Sequence, residues 1–272
     1  MIYKKFIIVL LFTFLFISCN SSTDPDQIKN NYYPLTSNLE WEYNTINEIG
    51  YYDTLGNIKN TEIFENGNTI VSIETVGESI NNFKDLIKFV SYEVGQSNLK
   101  AITWYQNTED GLYCIAYINA GAAQPVIPKI INGRRYLRID DLKQINVHLN
   151  FNLALNKIAD DSLQFWTPPR KVLAYPLTIG NSWIELQIPF KRDRIIEAEL
   201  NINIDGVNYD VYKIASIWPT FGLIFNDYIS TKQGLVLREI LADSVIITTA
   251  ESPDGIGFAK MNTTSKLVRS NF

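Results

Sequence analysis

Cysteine and histidine are almost missing from this chain, which has two cysteines and one histidine in 272 residues. A zinc site needs three or four histidine, cysteine or carboxylate ligands, so none is expected. A serine–histidine–acid triad would have to use His148, and the chain has no Gly-x-Ser-x-Gly motif around a nucleophile. The acidic doublets are incomplete as calcium loops. We therefore predict no catalytic residue, no metal site and no cofactor.

Positive charge is also scarce, which bears on the partners of the protein. Loss of Lys4 and Lys5 with an N-terminal signal would leave 22 of the 24 basic residues against 29 acidic ones, a net charge of −7. No stripe of lysine and arginine with interleaved aromatic residues occurs in the sequence. Binding to a nucleic-acid backbone is therefore not expected.

The N-terminal segment has the pattern of a secretion signal. Lys4 and Lys5 precede the apolar run 6–18, which has 13 residues. As a helix this run is about 20 Å long, whereas a span needs about 20 residues to cross a bilayer core of about 30 Å. Residues 1–18 are therefore predicted to be a cleaved signal peptide. A plain secretory signal and an uncleaved anchor remain alternatives to the lipoprotein signal described next.

The residues Phe16-Ile17-Ser18-Cys19 resemble the lipobox of bacterial lipoproteins, with Phe16 in place of the usual leucine. The resemblance implies that Cys19 is the lipid attachment site, carries acyl chains such as palmitate and begins the mature protein. It also implies a lipid-anchored protein of the bacterial cell envelope, expected at the outer membrane on its periplasmic or surface face. Residues 19–31 are polar and acidic, so they are predicted to be a flexible tether. Cys114 alone cannot form an internal disulfide and is predicted to be buried in a strand.

Two motifs occur twice in the same order, which indicates an internal duplication. Tyr33-Pro-Leu-Thr leads to Trp41, and Tyr175-Pro-Leu-Thr leads to Trp183 with the same spacing. A Thr-x-x-Gly-Leu segment follows each copy, ending at Leu112 and at Leu235. Residues 32–272 are thus predicted to be a single β domain with repeat halves at about 32–165 and 170–272, and Pro168-Pro169 marks a break between them.

Alternating apolar residues predict consecutive hairpins, hence an all-β antiparallel meander that forms a curved sheet, half-barrel or sandwich. The clearest case is residues 200–211, where Asp205-Gly206 should form a two-residue turn that sets Ile204 opposite Val207. Further turns are predicted at Gly56-Asn57, Asn66-Gly67, Asp110-Gly111 and Asn132-Gly133. The apolar stripe from Val147 to Leu155 predicts another strand, with His148 on its polar face.

Two tryptophans, one charged run and the acidic residues are the remaining candidates for a functional role. Trp41 and Trp183 are predicted to pack at the ends of a β core. Stacking of these rings on a ligand remains an alternative. The mixed-sign run from Lys191 to Arg194 is typical of a solvated loop or strand end. Pairs of acids suited to glycoside cleavage come together only in the fold, so a hydrolase remains a third, less favoured function.

The Tyr-Pro-Leu-x-x-Gly-Asn-x-Trp frame at residues 175–183 and the stretch from Gly234 to Glu239 resemble a group of uncharacterised envelope lipoproteins of Bacteroidetes-like bacteria. Consecutive hairpins behind a lipid anchor also resemble, in architecture alone, the half-barrels of lipoprotein carriers. These resemblances imply a non-catalytic envelope lipoprotein that is a binding or accessory module for a protein or glycan partner. The alternative is a carrier that encloses an apolar ligand such as a lipid in its curved sheet.

Overall fold

The computed structural model describes residues 32–95, 97, 100–119, 129–131, 134–138, 160–187, 191–218, 223–248, 252 and 255–272. Within these ranges every regular element is a β-strand, which confirms the predicted all-β fold. The strands are β1 (Glu40–Tyr52), β2 (Ile58–Ile80), β3 (Phe83–Glu93), β4 (Ala101–Thr108), β5 (Gly111–Asn119), β6 (Lys129–Ile131), β7 (Arg134–Arg138), β8 (Asp160–Ala174), β9 (Ser182–Leu186), β10 (Arg192–Ile204), β11 (Val207–Trp218), β12 (Leu223–Ser230), β13 (Gly234–Thr248) and β14 (Gly257–Ser270).

One nearly closed, barrel-like sheet contains these strands. Twelve of them follow one another in the order β8-β5-β4-β3-β2-β1-β14-β13-β12-β11-β10-β9, and neighbours along this path are antiparallel. The first and last strands, β8 and β9, come into contact with each other. The short strand β7 differs, because it pairs in parallel with β13 and antiparallel with β6. The predicted meander and its curvature are thereby confirmed.

The path consists of two runs of six strands, β1–β5 with β8 and then β9–β14. Trp41 is the second residue of β1, and Trp183 is the second residue of β9. Gly111 begins β5, and Gly234 begins β13. The residues that recur in the sequence thus occupy the same strand positions in both runs.

The two junctions between these runs are built differently. At one junction β1 and β14 form a long ladder, from Trp41 opposite Ser270 to Tyr52 opposite Phe258. At the other, the described parts of β8 and β9 are linked by side chains in place of a ladder. Trp183 Nε1 donates to Lys171 O at 2.9 Å, and Arg194 Nη1 donates to Val172 O at 2.9 Å. We call this side-chain junction the β8–β9 seam.

The interior near Trp41 is packed with aromatic and aliphatic side chains. The Trp41 ring stacks on Phe89 at 6.1 Å between centroids, and Phe89 meets Tyr105 edge to face at 4.9 Å. Cys114 lies fully buried in the same cluster, as predicted. The core therefore holds this end of the barrel together by close packing rather than by a disulfide.

The predicted 200–211 hairpin is confirmed residue by residue. Ile204 pairs with Val207, Ile202 with Tyr209 and Leu200 with Val211, and Gly206 has a φ of 91°. Two other predicted hairpins form with different turns. Glu109-Asp110, rather than Asp110-Gly111, makes the β4–β5 turn, and a five-residue loop that contains Gly56-Asn57 joins β1 to β2.

The turn predicted at Asn66-Gly67 is wrong, because β2 continues through these residues. The register between β1 and β2 shifts there, from Asn44 opposite Asn68 to Ile46 opposite Glu65, and Gly67 has a φ of 74°. The dipeptide forms a β-bulge, which uses the same positive φ as a tight turn. The break predicted at Pro168-Pro169 is also wrong, since β8 runs through both prolines beside an irregular stretch of its ladder with β5.

Several predicted features lie outside the described residues. They are the signal peptide, Cys19 and its tether, the Asn132-Gly133 turn, and the Val147 to Leu155 stripe with His148. Strands β6 and β7 pair on either side of Asn132-Gly133, with Ile131 opposite Arg134.

Candidate functional site

Six buried charged side chains form a network inside the sheet. Each is 5% exposed or less, and five strands supply them: Arg170 from β8, Glu185 from β9, Arg192 and Arg194 from β10, Asp227 from β12, and Arg238 from β13. We call these six residues the interior charge network. Because β8 and β9 both contribute to it, the network spans the seam.

Asp227 and Glu185 are the two centres of the network. The Asp227 carboxylate accepts hydrogen bonds from Arg238 Nε at 2.6 Å and Nη2 at 2.9 Å, and from Arg194. The Glu185 carboxylate accepts a hydrogen bond from Arg192, and Arg170 Nε lies 3.0 Å from its Oε1. Three rings lie 5.3 to 5.9 Å from guanidinium carbons: Trp166 at Arg170, Phe225 at Arg192 and Trp183 at Arg194.

Both carboxylates are held ionised. Burial by itself would raise the pKa of Asp227, but Arg238 and Arg194 outweigh it and hold this pKa well below its usual range. Burial likewise opposes ionisation of Glu185, and Arg192, Arg194 and Arg170 together lower its pKa. Removing either acid would leave buried guanidinium groups without their counter-charge.

A small cavity of about 10 Å³ borders the network. It is lined by Glu185, Arg192, Arg194, Ser216, Phe225, Asp227 and Arg238. A space of this size holds about one water molecule. It is far too small for an acyl chain.

The prediction of a solvated run from Lys191 to Arg194 is wrong for two of its members. Lys191 and Asp193 are exposed, whereas Arg192 and Arg194 are 4% and 3% exposed and point into the barrel. The run begins strand β10, so alternate residues face opposite sides of the sheet. Strict alternation of side-chain direction along a strand was the available signal. Of the two acidic partners, Glu185 lies on the neighbouring strand β9, whereas Asp227 lies on β12, two strands away in the sheet.

The two repeated tryptophans have unequal surroundings. Trp41 is fully buried, as predicted, and its Nε1 donates to Gln233 O at 2.5 Å in the turn before β13. Trp183 is only partly buried and lies at the seam. Tyr33 and Tyr175 support this end of the barrel, since Tyr33 N donates to Tyr175 Oη at 3.3 Å.

A groove of about 390 Å³ opens on the opposite, outer face of the sheet. We call it the outer groove. Strands β2, β1, β14 and β13 form it, and its lining comprises Glu48, Gly50, Tyr52, Ile58, Thr61, Leu241, Ala242, Asp243, Lys260, Met261 and Asn262. Thr61, Gly50 and Lys260 form one row across neighbouring strands, and Glu48, Asn262 and Leu241 form the next.

Gly50 gives the groove its depth. A side chain at this position would begin 3.1 Å from Tyr52 Cε2 and 3.3 Å from the Tyr52 hydroxyl, so the ring lies directly over the glycine. Lys260 Nζ is 5.6 Å from the centre of the same ring and 3.3 Å from an Asp243 oxygen. The Tyr52 ring, the Lys260 ammonium group and the Asp243 carboxylate therefore lie next to one another in the groove.

The second row of the groove offers hydrogen-bonding groups that face solvent. Glu48 lies directly opposite Asn262, and within the described part of the chain neither side chain is engaged by another. Ile58 and Leu241, 60% and 36% exposed, place apolar surface at the two sides. No sequence pattern indicates this site, because its residues come from four strands and lie up to 214 positions apart, from Glu48 to Asn262.

Neither candidate site has the composition of a metal centre. The described residues contain no cluster of three or more histidine, cysteine, aspartate or glutamate side chains placed to hold a metal ion. No helix in the described ranges is long and apolar enough to cross a membrane.

No model of a known protein family matches the chain, and no curated protein matches it in sequence. Among solved structures it is similar to a candidate lipoprotein of Parabacteroides distasonis ATCC 8503, at 12% identity over 88% of this chain and 97% of that one, with a TM-score of 0.25. It is also similar to the ywiB protein of Bacillus subtilis, at 9% identity over 85% and 94% of the two chains, with a TM-score of 0.19. Neither likeness is close enough to carry weight for the function of this chain.

Proposed function

We propose that this chain is a non-catalytic lipoprotein of the bacterial cell envelope, expected at the outer membrane, that binds a glycan in the outer groove. The short apolar run and Cys19 support the lipid anchor. One acyl chain gives only marginal membrane binding, so firm attachment requires the two or three chains usual for this class. The duplication of the two halves is part of the proposal, supported by the matching strand positions of Trp41 and Trp183 and of Gly111 and Gly234.

Intact-mass spectrometry of protein from its native host tests the anchor. We expect a chain that begins at Cys19 and carries acyl chains there. A chain that begins at Met1, or an unmodified Cys19, would contradict this part of the proposal. Cys19→Ala should release the domain from the membrane or stall its processing.

The size of the outer groove is the observation that carries the binding role. At about 390 Å³ it falls within the range of small-molecule sites, which are concave and combine apolar walls with a few polar groups. A protein partner would instead need about 800 Å² of surface on each side. A glycan fits because its C–H faces pack on an aromatic ring such as Tyr52, while its hydroxyls bond to groups such as Glu48 and Asn262.

The filled interior favours this function over a carrier of apolar ligands. A carrier needs an enclosed apolar cavity, whereas the described interior is packed with rings near Trp41 and crossed by the interior charge network. The cavity at the network has about 10 Å³ and is bordered by five charged groups. An acyl chain in that position would have to displace buried ion pairs, at high cost.

A glycan array probed with the full-length protein in detergent tests the proposal. We expect binding to a restricted set of envelope or environmental glycans, and a loss of at least about tenfold in affinity, or about 1.4 kcal/mol, for Tyr52→Ala. Tyr92→Ala is the matched control, because Lys100 Nζ lies 5.9 Å from the Tyr92 ring in the same arrangement away from the groove.

Two results would contradict the proposal. Equal loss of binding in the Tyr92→Ala control, or full binding by Tyr52→Ala, would show that the glycan binds outside the groove. Release of shortened sugars from a bound glycan on incubation would show a hydrolase, since Glu48 and Asp243 both line the groove.

A further inference from the structure

Positive charge outweighs negative charge inside the barrel. Among the described residues, the interior charge network holds four arginines and two carboxylates. Guanidinium groups remain protonated in proteins, so the network has a formal surplus of two positive charges. An isolated buried charge is strongly unfavourable unless a counter-charge lies beside it.

The donors of Arg170 and Arg194 are the relevant ones for a missing acceptor. Arg192 and Arg238 have further interactions within the chain. Arg170 Nε lies close to Glu185 without the alignment of a hydrogen bond, and its Nη2 donates to no group among the described residues. Within the part of the chain that the structure describes, Arg194 Nε also donates to no group, and its distance to Glu185 Oε2 is 3.6 Å. Buried donors without an acceptor are costly, so an acceptor is expected beside them.

Space for such an acceptor exists next to Arg194. The cavity of about 10 Å³ is lined by Arg192, Arg194 and Arg238, by Ser216 and Phe225, and by the carboxylates of Glu185 and Asp227. That volume suits a single particle of about the size of a water molecule. A monatomic halide fits it, whereas phosphate or a carboxylic acid does not.

We infer that the interior charge network binds one small inorganic anion of chloride size in this cavity. A water molecule is the competing occupant, and Glu185 Oε2, which accepts no hydrogen bond from the described residues, would favour it. The surplus positive charge favours an anion over water in the cavity, because a neutral water molecule would compensate neither of the two excess guanidinium charges. The bound ion would then stabilise the β8–β9 seam, because Arg170 and Glu185 join the network from its two sides.

Bromide is the probe, used on the unaltered full-length protein. Crystals soaked in sodium bromide should show an anomalous peak in the cavity in contact with Arg194. In solution, sodium chloride or bromide should raise the melting temperature saturably compared with sodium gluconate at equal ionic strength. A halide concentration 100 times its Kd should give a rise of about 5 to 10 °C.

Arg170→Gln separates the effect of the surplus charge from general salt effects. It removes one positive charge from the network and leaves the lining of the cavity unchanged, because Arg170 does not line it. It should weaken the halide-dependent rise, whereas Arg269→Gln, which alters an exposed ion pair with Glu42, should leave it unchanged. Water in the cavity with no anomalous peak, or bromide on the surface as an adventitious ion only, would overturn the inference. Equal melting temperatures in halide and gluconate, or a carboxylate of the chain neutralising Arg170 and Arg194, would overturn it too.

Discussion

The interior charge network and the outer groove both consist of charged and aromatic side chains, but they lie on opposite faces of one sheet. Inside, Asp227 and Glu185 form ion pairs with four arginines, and the cavity beside them is about 10 Å³. Outside, Glu48 and Asn262 face solvent beside a groove of about 390 Å³. Groups that bind one another hold the barrel together, while groups left facing solvent are available for a ligand. The following variants should separate these two roles.

Asp227→Asn should have the largest effect on stability. Arg194 and Arg238 would lose a shared buried counter-charge, and breaking such a pair costs about 3 to 5 kcal/mol. Urea unfolding measured by tryptophan fluorescence checks this value. Asp193→Asn is the control, because its ion pair with Lys191 is exposed and contributes at most about 1 kcal/mol. Similar losses in both variants would mean that the network does not stabilise the fold.

Trp41→Ala should destabilise the protein by about 3 to 5 kcal/mol, through lost burial and the cavity that remains. Trp183→Ala should cost clearly less, because this ring is only partly buried and lies at the seam. Chemical denaturation of the two variants under the same conditions makes the comparison. A larger loss for Trp183→Ala would show that the seam, rather than the packed end near Trp41, limits stability.

Acid should weaken the interior charge network. The pKa values of Asp227 and Glu185 are lower in the folded than in the unfolded state, so their stabilisation is fully present above the unfolded values of about 3.9 and 4.3. It is lost as the pH falls through the folded values, and the melting temperature should therefore drop steadily below about pH 4. Asp227→Asn should flatten this dependence. Equal stability at pH 6 and pH 3 would contradict the role given to the two acids.

Much of the fold follows from local sequence patterns. Period-two alternation and the Asp205-Gly206 turn predict the 200–211 hairpin down to its register, because a two-residue turn leaves only one pairing. The dipeptide Asn66-Gly67 does not by itself distinguish a turn from a bulge within a strand. A positive φ at glycine serves a bulge as well as a turn, and only the partner strand distinguishes the two.

The candidate sites depend on contacts that local patterns do not contain. Arg192 and Arg194 can be buried because Glu185 on the neighbouring strand β9 and Asp227 on β12, two strands away in the sheet, supply their counter-charges. Gly50 and Tyr52 matter because β14 places Lys260 beside them. Pairing between several strands assembles both sites, so neither is complete in any single segment of the chain.

Glu48→Ala should have the smallest effect on stability, within about 0.5 kcal/mol, because its side chain is exposed and the described residues do not engage it. Thermal unfolding monitored by circular dichroism checks this. A loss above about 1 kcal/mol would show that Glu48 supports the sheet, and the groove would then lose its clearest binding group.

Calorimetric titration of the best array glycan onto the unaltered protein and onto Glu48→Ala tests the central claim most directly. We predict saturable binding to the unaltered protein and at least about tenfold weaker binding to the variant, with both proteins melting at the same temperature. Equal affinity for the two proteins would contradict binding in the outer groove.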